Sequence, residues 1–405
     1  MCGAGCRRVL SVPEVRPGPW LRLIAVGAAA AAALAVVSGA LSLHTAHRAL
    51  AALAVPPLAA LVAAAWVAHR RLPRPSVAAL GLFAAAALVI GRPLHIAFAA
   101  LALAAALVAT ATTLRGEPVA AAPWRDYLTL TKPRIMSLLL LTGACGMIVG
   151  AAGFPSAWLF AVTMTGLALA CGGASAINHV LDRDIDRNMR RTDRRPVAAD
   201  RVAPTRALEF GLALSALSFV LLASLVNVLA ALLALAGNLF YVFVYTRWLK
   251  RSTPQNIVIG GAAGAIPPLV GWAAATGNVT VPALLLFAIV FFWTPPHFWA
   301  LALLIRGDYE AAGVPMLPVV RGERETTKQI VLYSGLLVAV TASPFLYGTL
   351  GLAYLVAALL LGAVFLILAL GLRQQPSPRR AALLFHFSLL YLALLFAAMA
   401  ADAAL

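Results

Sequence analysis

The chain has 405 residues, 62% of them hydrophobic and only 11% charged, far below the roughly 25% charged residues of a soluble domain, so an ordinary soluble enzyme is excluded. Its net charge of +17 is divided among short clusters between apolar runs, which argues against a nucleic-acid surface and fits the positive loops of a membrane protein. The cysteines, Cys2, Cys6, Cys145 and Cys171, lack paired CxxC spacing and read as free thiols.

Apolar runs predict thirteen membrane-spanning helices, near 20–43, 48–68, 76–91, 94–114, 135–153, 156–177, 207–226, 228–246, 256–275, 282–303, 330–349, 351–372 and 381–402. No alternating strand pattern of the membrane-barrel type occurs. The first run is longer than a signal-peptide core and is expected to be retained. An odd number of spans puts the termini on opposite sides. With the N-terminus cytoplasmic and the C-terminus outside, only Arg48 and Arg92 of the 31 basic residues fall on the outer side. No transit-type leader precedes the first run, so a bacterial plasma membrane is the expected location.

A composition shift near 115–124, with Arg115-Gly116-Glu117-Pro118 and Pro123-Trp124-Arg125-Asp126, separates residues 1–118, a four-helix transmembrane module, from a nine-helix region over 119–405. In the first module His47 and His95 open parallel spans at the same outer level, beside Arg48 and Arg92. Two facing histidines in a four-helix bundle are suited to holding haem b, with the arginines on its propionates. Purely structural helices are the competing reading, and both stay open.

The acidic residues mark the second module. Five of the 14 acids fall between Asp182 and Asp200, directly after a hydrophobic helix. Asn178, Asp182 and Asp186 recur every fourth residue and share one face if the helix continues. Three oxygen side chains at a membrane boundary suit Mg²⁺, completed by phosphate oxygens and water; a solvated, helix-capping charge run is the alternative. Arginines follow at Arg190, Arg191, Arg194 and Arg195, then a second basic set at Arg247, Lys250 and Arg251, and a third block at Arg306-Gly307-Asp308-Tyr309-Glu310. All lie on one side of the predicted topology, where guanidinium groups can grip a diphosphate. His297 lies at the inner half of the tenth span, after an expected break at Pro295-Pro296. It is either a haem contact or a hydrogen-bonded packing histidine.

These blocks resemble the UbiA-type intramembrane prenyltransferases. The matching residues are Tyr127-Leu128-Thr129-Leu130-Thr131-Lys132-Pro133-Arg134, the Asn178, Asp182, Asp186 motif with Arg191-Thr192 and Arg195-Pro196, and Leu249-Lys250-Arg251 through Gly261. Trp293 to Ala300 and Asp308-Tyr309 to Val319 complete the set. In combination they are similar to the branch of the family whose acceptor is haem. The second acidic motif is reduced, with Ala312 four residues after Asp308.

The resemblance implies an all-α integral membrane fold, a nine-helix UbiA-type bundle preceded by the four-helix module. It implies an Mg²⁺-dependent enzyme that moves a farnesyl group from farnesyl diphosphate to a vinyl group of protohaem IX, giving haem O and diphosphate. Asn178, Asp182, Asp186 and Asp308 are its implied catalytic and metal-holding residues, and Lys132, Arg134, Arg191, Arg195, Lys250 and Arg251 its diphosphate-binding residues. His297 would meet the haem substrate. The His-Arg pair and Pro-x-His of the first module are similar to half of a haem A synthase, so contact with such an enzyme or with terminal oxidase assembly is expected. A prenyltransferase for another aromatic acceptor, or a non-catalytic haem carrier or transporter, are the alternatives. Its expected surroundings are the lipid bilayer, without nucleic acid.

Overall fold

The computed structural model describes residues 122–405; His47, His95 and the predicted first module lie outside them. Among the described residues there are nine helices long and apolar enough to cross a membrane, and no strand. They are α1 (Pro133–Ala151), α2 (Ala157–Leu181), α3 (Pro204–Leu225), α4 (Val228–Ser252), α5 (Asn256–Thr276), α6 (Val281–Leu304), α7 (Gly322–Leu346), α8 (Leu352–Gln374) and α9 (Pro378–Ala404). All nine spans expected after residue 119 are present.

Local chemistry sets the ends. Proline stands in the first turn of α1, α3, α6 and α9, where its missing N–H has no helical partner to lose. The side chains of Ser156, Asn227 and Ser377 accept from the backbone N–H of Leu159, Ala230 and Arg380 and cap α2, α4 and α9. The largest difference from the sequence reading is α7, which begins at Gly322 rather than near 330. Its first turns, Gly322-Glu323-Arg324-Glu325-Thr326-Thr327-Lys328, are polar, so hydropathy does not register helix that projects past the apolar layer.

Two helices change character midway. The α4 helix turns from α to π geometry over Phe240–Leu249, a transition that often accompanies functional sites, and there Tyr241 and Tyr245 stack with ring centroids 5.5 Å apart. In α5 the helix restarts at Ile266 ahead of Pro267-Pro268. By contrast, the break expected at Pro295-Pro296 does not occur: α6 runs unbroken from Val281 to Leu304. Neighbouring α9 supports it, since the Trp293 indole donates to the Ser388 carbonyl at 2.7 Å.

Successive helices pack side by side, α9 returns onto α1, and α5 crosses to α1. Small residues permit the closest crossings. A Cβ on Gly271 would stand 1.9 Å from the Gly143 carbonyl oxygen, and one on Gly173 would stand 2.8 Å from that of Gly211. Only glycine fits where these backbones meet. Interhelical hydrogen bonds reinforce α2, α3 and α4, from Ser218 to the Gly166 carbonyl at 2.6 Å and from Asn238 to Ser215 at 2.8 Å. Outward apolar side chains such as Leu346, Leu360 and Ile367 are 65–78% exposed, a surface suited to hydrocarbon rather than water. The protein is a multi-pass membrane protein.

Candidate active site

The acidic motif sits where α2 ends. The helix stops at Leu181, Asp182 adopts φ −95° and ψ 8°, and a five-residue helix, Arg183–Arg187, follows. The expected single continuous helix is therefore broken at its middle acid. Even so, the Asp182 N–H bonds to the Asn178 carbonyl at 2.9 Å and the Asp186 N–H to the Asp182 carbonyl at 2.7 Å. Bonding of the i to i−4 kind carries across the corner, so the three side chains keep their register. Asn178, Asp182 and Asp186 are all about 98% buried.

Burying two carboxylates is costly unless cations compensate them, and these come from distant segments. Lys250 Nζ, at the end of α4, donates to Asp182 Oδ2 at 2.5 Å. Arg195 Nη1 donates to both oxygens of Asp186 at 2.8 Å. Lys132 Nζ donates to Asn178 Oδ1 at 2.7 Å, while Asn178 Nδ2 donates to Asp182 Oδ2 at 2.7 Å and to Thr246 Oγ1 at 3.1 Å. One acceptor is left over: Asp182 Oδ1 is buried with no hydrogen-bond partner.

Lys132 occupies the left-handed region, φ 51° and ψ 63°, just before Pro133. A non-glycine residue there carries strain of about 1–3 kcal/mol, and it aims the amine back across the end of α2. Burial, with Arg195 nearby, lowers its pKa from 10.5 to about 7, against the opposing pull of Asp182 and Asp186. Two carboxylates against Lys250, Arg195 and a Lys132 amine that is only partly charged at neutral pH leave the ligand-free centre with a fractional excess of positive charge, an arrangement that receives an anion.

The remaining predicted residues are distributed around this centre. Asp308, in the short helix Arg306–Ala311 after α6, accepts from the Arg191 backbone N–H at 3.4 Å, which brings the second acidic block against the arginine loop. Burial raises the pKa of the neighbouring Tyr309. Arg134 and Arg191 are exposed. Arg251 is engaged elsewhere, donating to both oxygens of Asp184 and to the Leu181 carbonyl. His297 is buried deeper in α6; its Nδ1 is 2.6 Å from Ser388 Oγ, and its ring stacks on Trp293 at 4.3 Å and on Phe385 at 4.9 Å.

Three participants escape a reading by residue type. Thr246 is fully buried against Asn178, and Asn256 is fully buried with neither amide atom partnered. Tyr245 stacks beside them in the π segment. Their only signal is position, in the run from Tyr245 to Asn256 that also carries Lys250 and Arg251.

Among the described residues no group of three or more His, Cys, Asp or Glu could hold a metal ion unaided. The oxygen donors present nonetheless fit Mg²⁺, which commonly takes one or two carboxylates and leaves its other positions to water and substrate phosphate. The unpartnered Asp182 Oδ1 is the open donor of that set. Asp308 is turned to the Arg191 backbone and Asn178 Oδ1 to Lys132, so both would have to turn to join it.

Comparison with known proteins agrees with this architecture. The sequence profile of the UbiA prenyltransferase family matches residues 139–395. The chain is 56% identical over 280 residues to the protoheme IX farnesyltransferase of Symbiobacterium thermophilum, covering 69% of this chain and 94% of that one. It is 46% identical over 402 residues to that of Roseiflexus sp., covering 89% and 75%, and 55% identical over 283 residues to that of Thermus thermophilus, covering 70% and 46%. The chain thus spans about half the length of the Thermus relative. Among solved structures, digeranylgeranylglyceryl phosphate synthase superposes with a TM-score of 0.59 at 19% identity, covering 69% of this chain and 98% of that one. A UbiA homolog from Archaeoglobus fulgidus bound to DMAPP and Mg²⁺ follows at 0.55 and 21%, covering 68% and 99%. With the profile spanning well over half of its length, the chain belongs to the UbiA prenyltransferase family.

Proposed function

We propose that the protein transfers a farnesyl group from farnesyl diphosphate to a vinyl group of protohaem IX, giving haem O and diphosphate. The observation that carries this reading is the buried Asp182–Asp186 centre, held by Lys250 and Arg195 with one carboxylate oxygen unpartnered. Identities of 46–56% to relatives named protoheme IX farnesyltransferase support the haem acceptor and the farnesyl donor.

The diphosphate enters as an anion onto a centre with excess positive charge. Arg195, Lys250 and Lys132 exchange part of their contact with the acidic motif for contact with phosphate oxygens, assisted by Arg134 and Arg191 at the exposed rim. Asp182 and Asp186, joined by Asn178 and Asp308 once these turn, would hold Mg²⁺, whose charge would offset that of the leaving diphosphate. As the allylic C–O bond breaks, its electron pair leaves with the diphosphate. The vinyl π electrons form the new C–C bond to the farnesyl C1. The carbocation left beside the porphyrin ring then takes the oxygen of water, whose proton departs to solvent or to the diphosphate. Apolar walls from Ile185, Met189, Ile257 and Met316 flank the motif and limit earlier capture by water.

His297 is proposed to orient the macrocycle, its Nδ1 already tied to Ser388. Residues 1–118 are proposed as a separate module, with haem b between His47 and His95 or a purely structural role as its two readings, and 119–405 as the prenyltransferase domain. The proposed location is a bacterial plasma membrane, and the distribution of basic residues supports an N-terminus on the cytoplasmic side and a C-terminus outside. Contact with a haem A synthase or with terminal oxidase assembly would then receive the product.

The test is an assay of the purified full chain with farnesyl diphosphate, Mg²⁺ and haem, read by product mass. A farnesylated, hydroxylated haem is expected. Diphosphate release only with another aromatic acceptor would replace the haem assignment, and no turnover with any acceptor would overturn the enzyme.

A further inference from the structure

One strong ionic contact beside the centre has no part in the reaction as described. Arg251 donates through Nη1 and Nη2 to the two oxygens of Asp184, both at 2.7 Å, and through Nη2 to the Leu181 carbonyl, also at 2.7 Å. Leu181 is the last residue of α2, so this carbonyl is among those a helix end leaves without an internal partner. The guanidinium satisfies it one residue before Asp182. The same Nη2 lies 4.0 Å from the unpartnered Asp182 Oδ1, and the preceding residue, Lys250, reaches Asp182 Oδ2 at 2.5 Å.

Asp184 differs from the other two acids. Its side chain is 64% exposed, against 1% and 2% for Asp182 and Asp186. It faces away from the centre and toward Arg251, whose hydrogen bond holds its carboxyl down to about 2. Three of the guanidinium's five N–H donors, one on Nη1 and two on Nη2, are thus engaged by the protein itself. What its placement achieves is geometric. It pins the α2 corner to the end of α4, 70 residues away in sequence, and so sets where Lys250 meets Asp182.

We infer that Asp184 and Arg251 form a positioning clamp, in which Arg251 does not touch the diphosphate but fixes the Leu181–Asp182 corner and Lys250 so that Asp182 presents its free oxygen to a metal–diphosphate pair. The inference rests on the proposed function for the identity of that ligand. It departs from the expectation that Arg251 is itself a diphosphate contact, and it gives Asp184 a role distinct from its acidic neighbours. Sites held by such supporting contacts lose efficiency when their geometry loosens by fractions of an ångström.

The experiment uses the purified full chain and inorganic pyrophosphate, so that it does not depend on the acceptor. Asp184→Asn, Arg251→Gln and the double variant are compared by calorimetric titration of pyrophosphate at graded Mg²⁺, with melting temperature and the KM for haem measured alongside. Each single substitution is expected to raise the Mg²⁺ concentration for half-maximal pyrophosphate binding about five- to tenfold, with the KM for haem unchanged. The double variant should be no worse than Arg251→Gln by more than about twofold, because two partners of one contact are not additive. If Asp184→Asn behaves as wild type while Arg251→Gln loses pyrophosphate, or if the two effects multiply, the clamp is overturned and Arg251 is a direct contact. Should Arg251→Gln fail to fold, Asp184→Asn alone decides, since it alters an exposed carboxylate: a normal Mg²⁺ dependence sinks the proposal. Wild-type protein that binds Mg²⁺ and pyrophosphate but yields no farnesylated haem would overturn the functional reading and leave the clamp standing.

Discussion

The two ends of the bundle treat their carboxylates in opposite ways. At one end Asp402, near the close of α9, accepts from the backbone N–H of Gly351 at 2.5 Å and of Tyr354 at 3.2 Å. A carboxylate placed at the start of α8 completes donors that the helix leaves free and faces the positive end of its dipole. At the other end Asp182 and Asp186 meet the amine of Lys250 and the guanidinium of Arg195, and one oxygen of Asp182 accepts no hydrogen bond. Backbone N–H groups cannot leave, whereas long cationic side chains can be exchanged for an incoming ligand. The difference separates an acid that holds the fold from acids available for chemistry.

The sharpest way to break that comparison is Asp182→Asn. It keeps the shape but removes the charge and is expected to lower farnesyl transfer about 10²- to 10³-fold, the scale of losing one electrostatic stabiliser of a transition state. Turnover within a few-fold of wild type would place the chemistry elsewhere. Next in size is a coupling between ligands. The ligand-free centre already has excess positive charge, so Mn²⁺ used as a probe of the Mg²⁺ position should bind more than about tenfold more tightly with pyrophosphate than without it. By linkage, pyrophosphate should gain equally from the metal. Equal Mn²⁺ affinity in both conditions, measured by electron paramagnetic resonance, would contradict the charge argument.

A smaller effect concerns Lys132, whose amine titrates at about 7 in the ligand-free centre. As pH rises through that value the amine loses its charge, so pyrophosphate affinity should fall by several-fold between pH 6.5 and about 8.5. Stability moves the other way. The unfolded chain keeps this proton to about pH 10.4, so it binds more protons than the folded chain between about 7 and 10, and the Lys132 contribution to stability rises with pH there. Lys132→Arg keeps the charge and should flatten the fall in affinity; an unchanged pH profile in that variant would exclude Lys132 as its source. The smallest expected effect is at the opposite end, where Asp402→Ala should cost about 0.5–2 kcal/mol of stability with kcat/KM unaltered. A loss of activity in this variant at matched folding would erase the distinction between the ends.

Much of this was legible before any coordinates. Hydropathy placed the nine described spans, missing chiefly the polar first turns of α7, because a transfer scale responds to burial in hydrocarbon and not to helicity. The four-residue spacing from Asn178 to Asp186 marked the centre. It did not show that α2 breaks at Asp182, since spacing alone does not distinguish a helix that continues from one that turns a corner and resumes. Arg251 illustrates a different limit: among a cluster of basic residues, nothing local distinguishes one that faces ligand from one that grips Asp184.

Composition and residue order by themselves determined that this chain spans a membrane, which loops gather its basic residues and which short stretch concentrates its acids. These follow from transfer free energies and periodicity, which act over a few turns of helix. Only the tertiary structure decided which cation answers which acid, because Lys132, Arg195 and Lys250 reach the motif from 46 residues before it to 68 after. Such pairings depend on how the end of α2, the end of α4, the residue before α1 and the arginine loop meet, and the same packing leaves Asp182 Oδ1 without a hydrogen-bond partner.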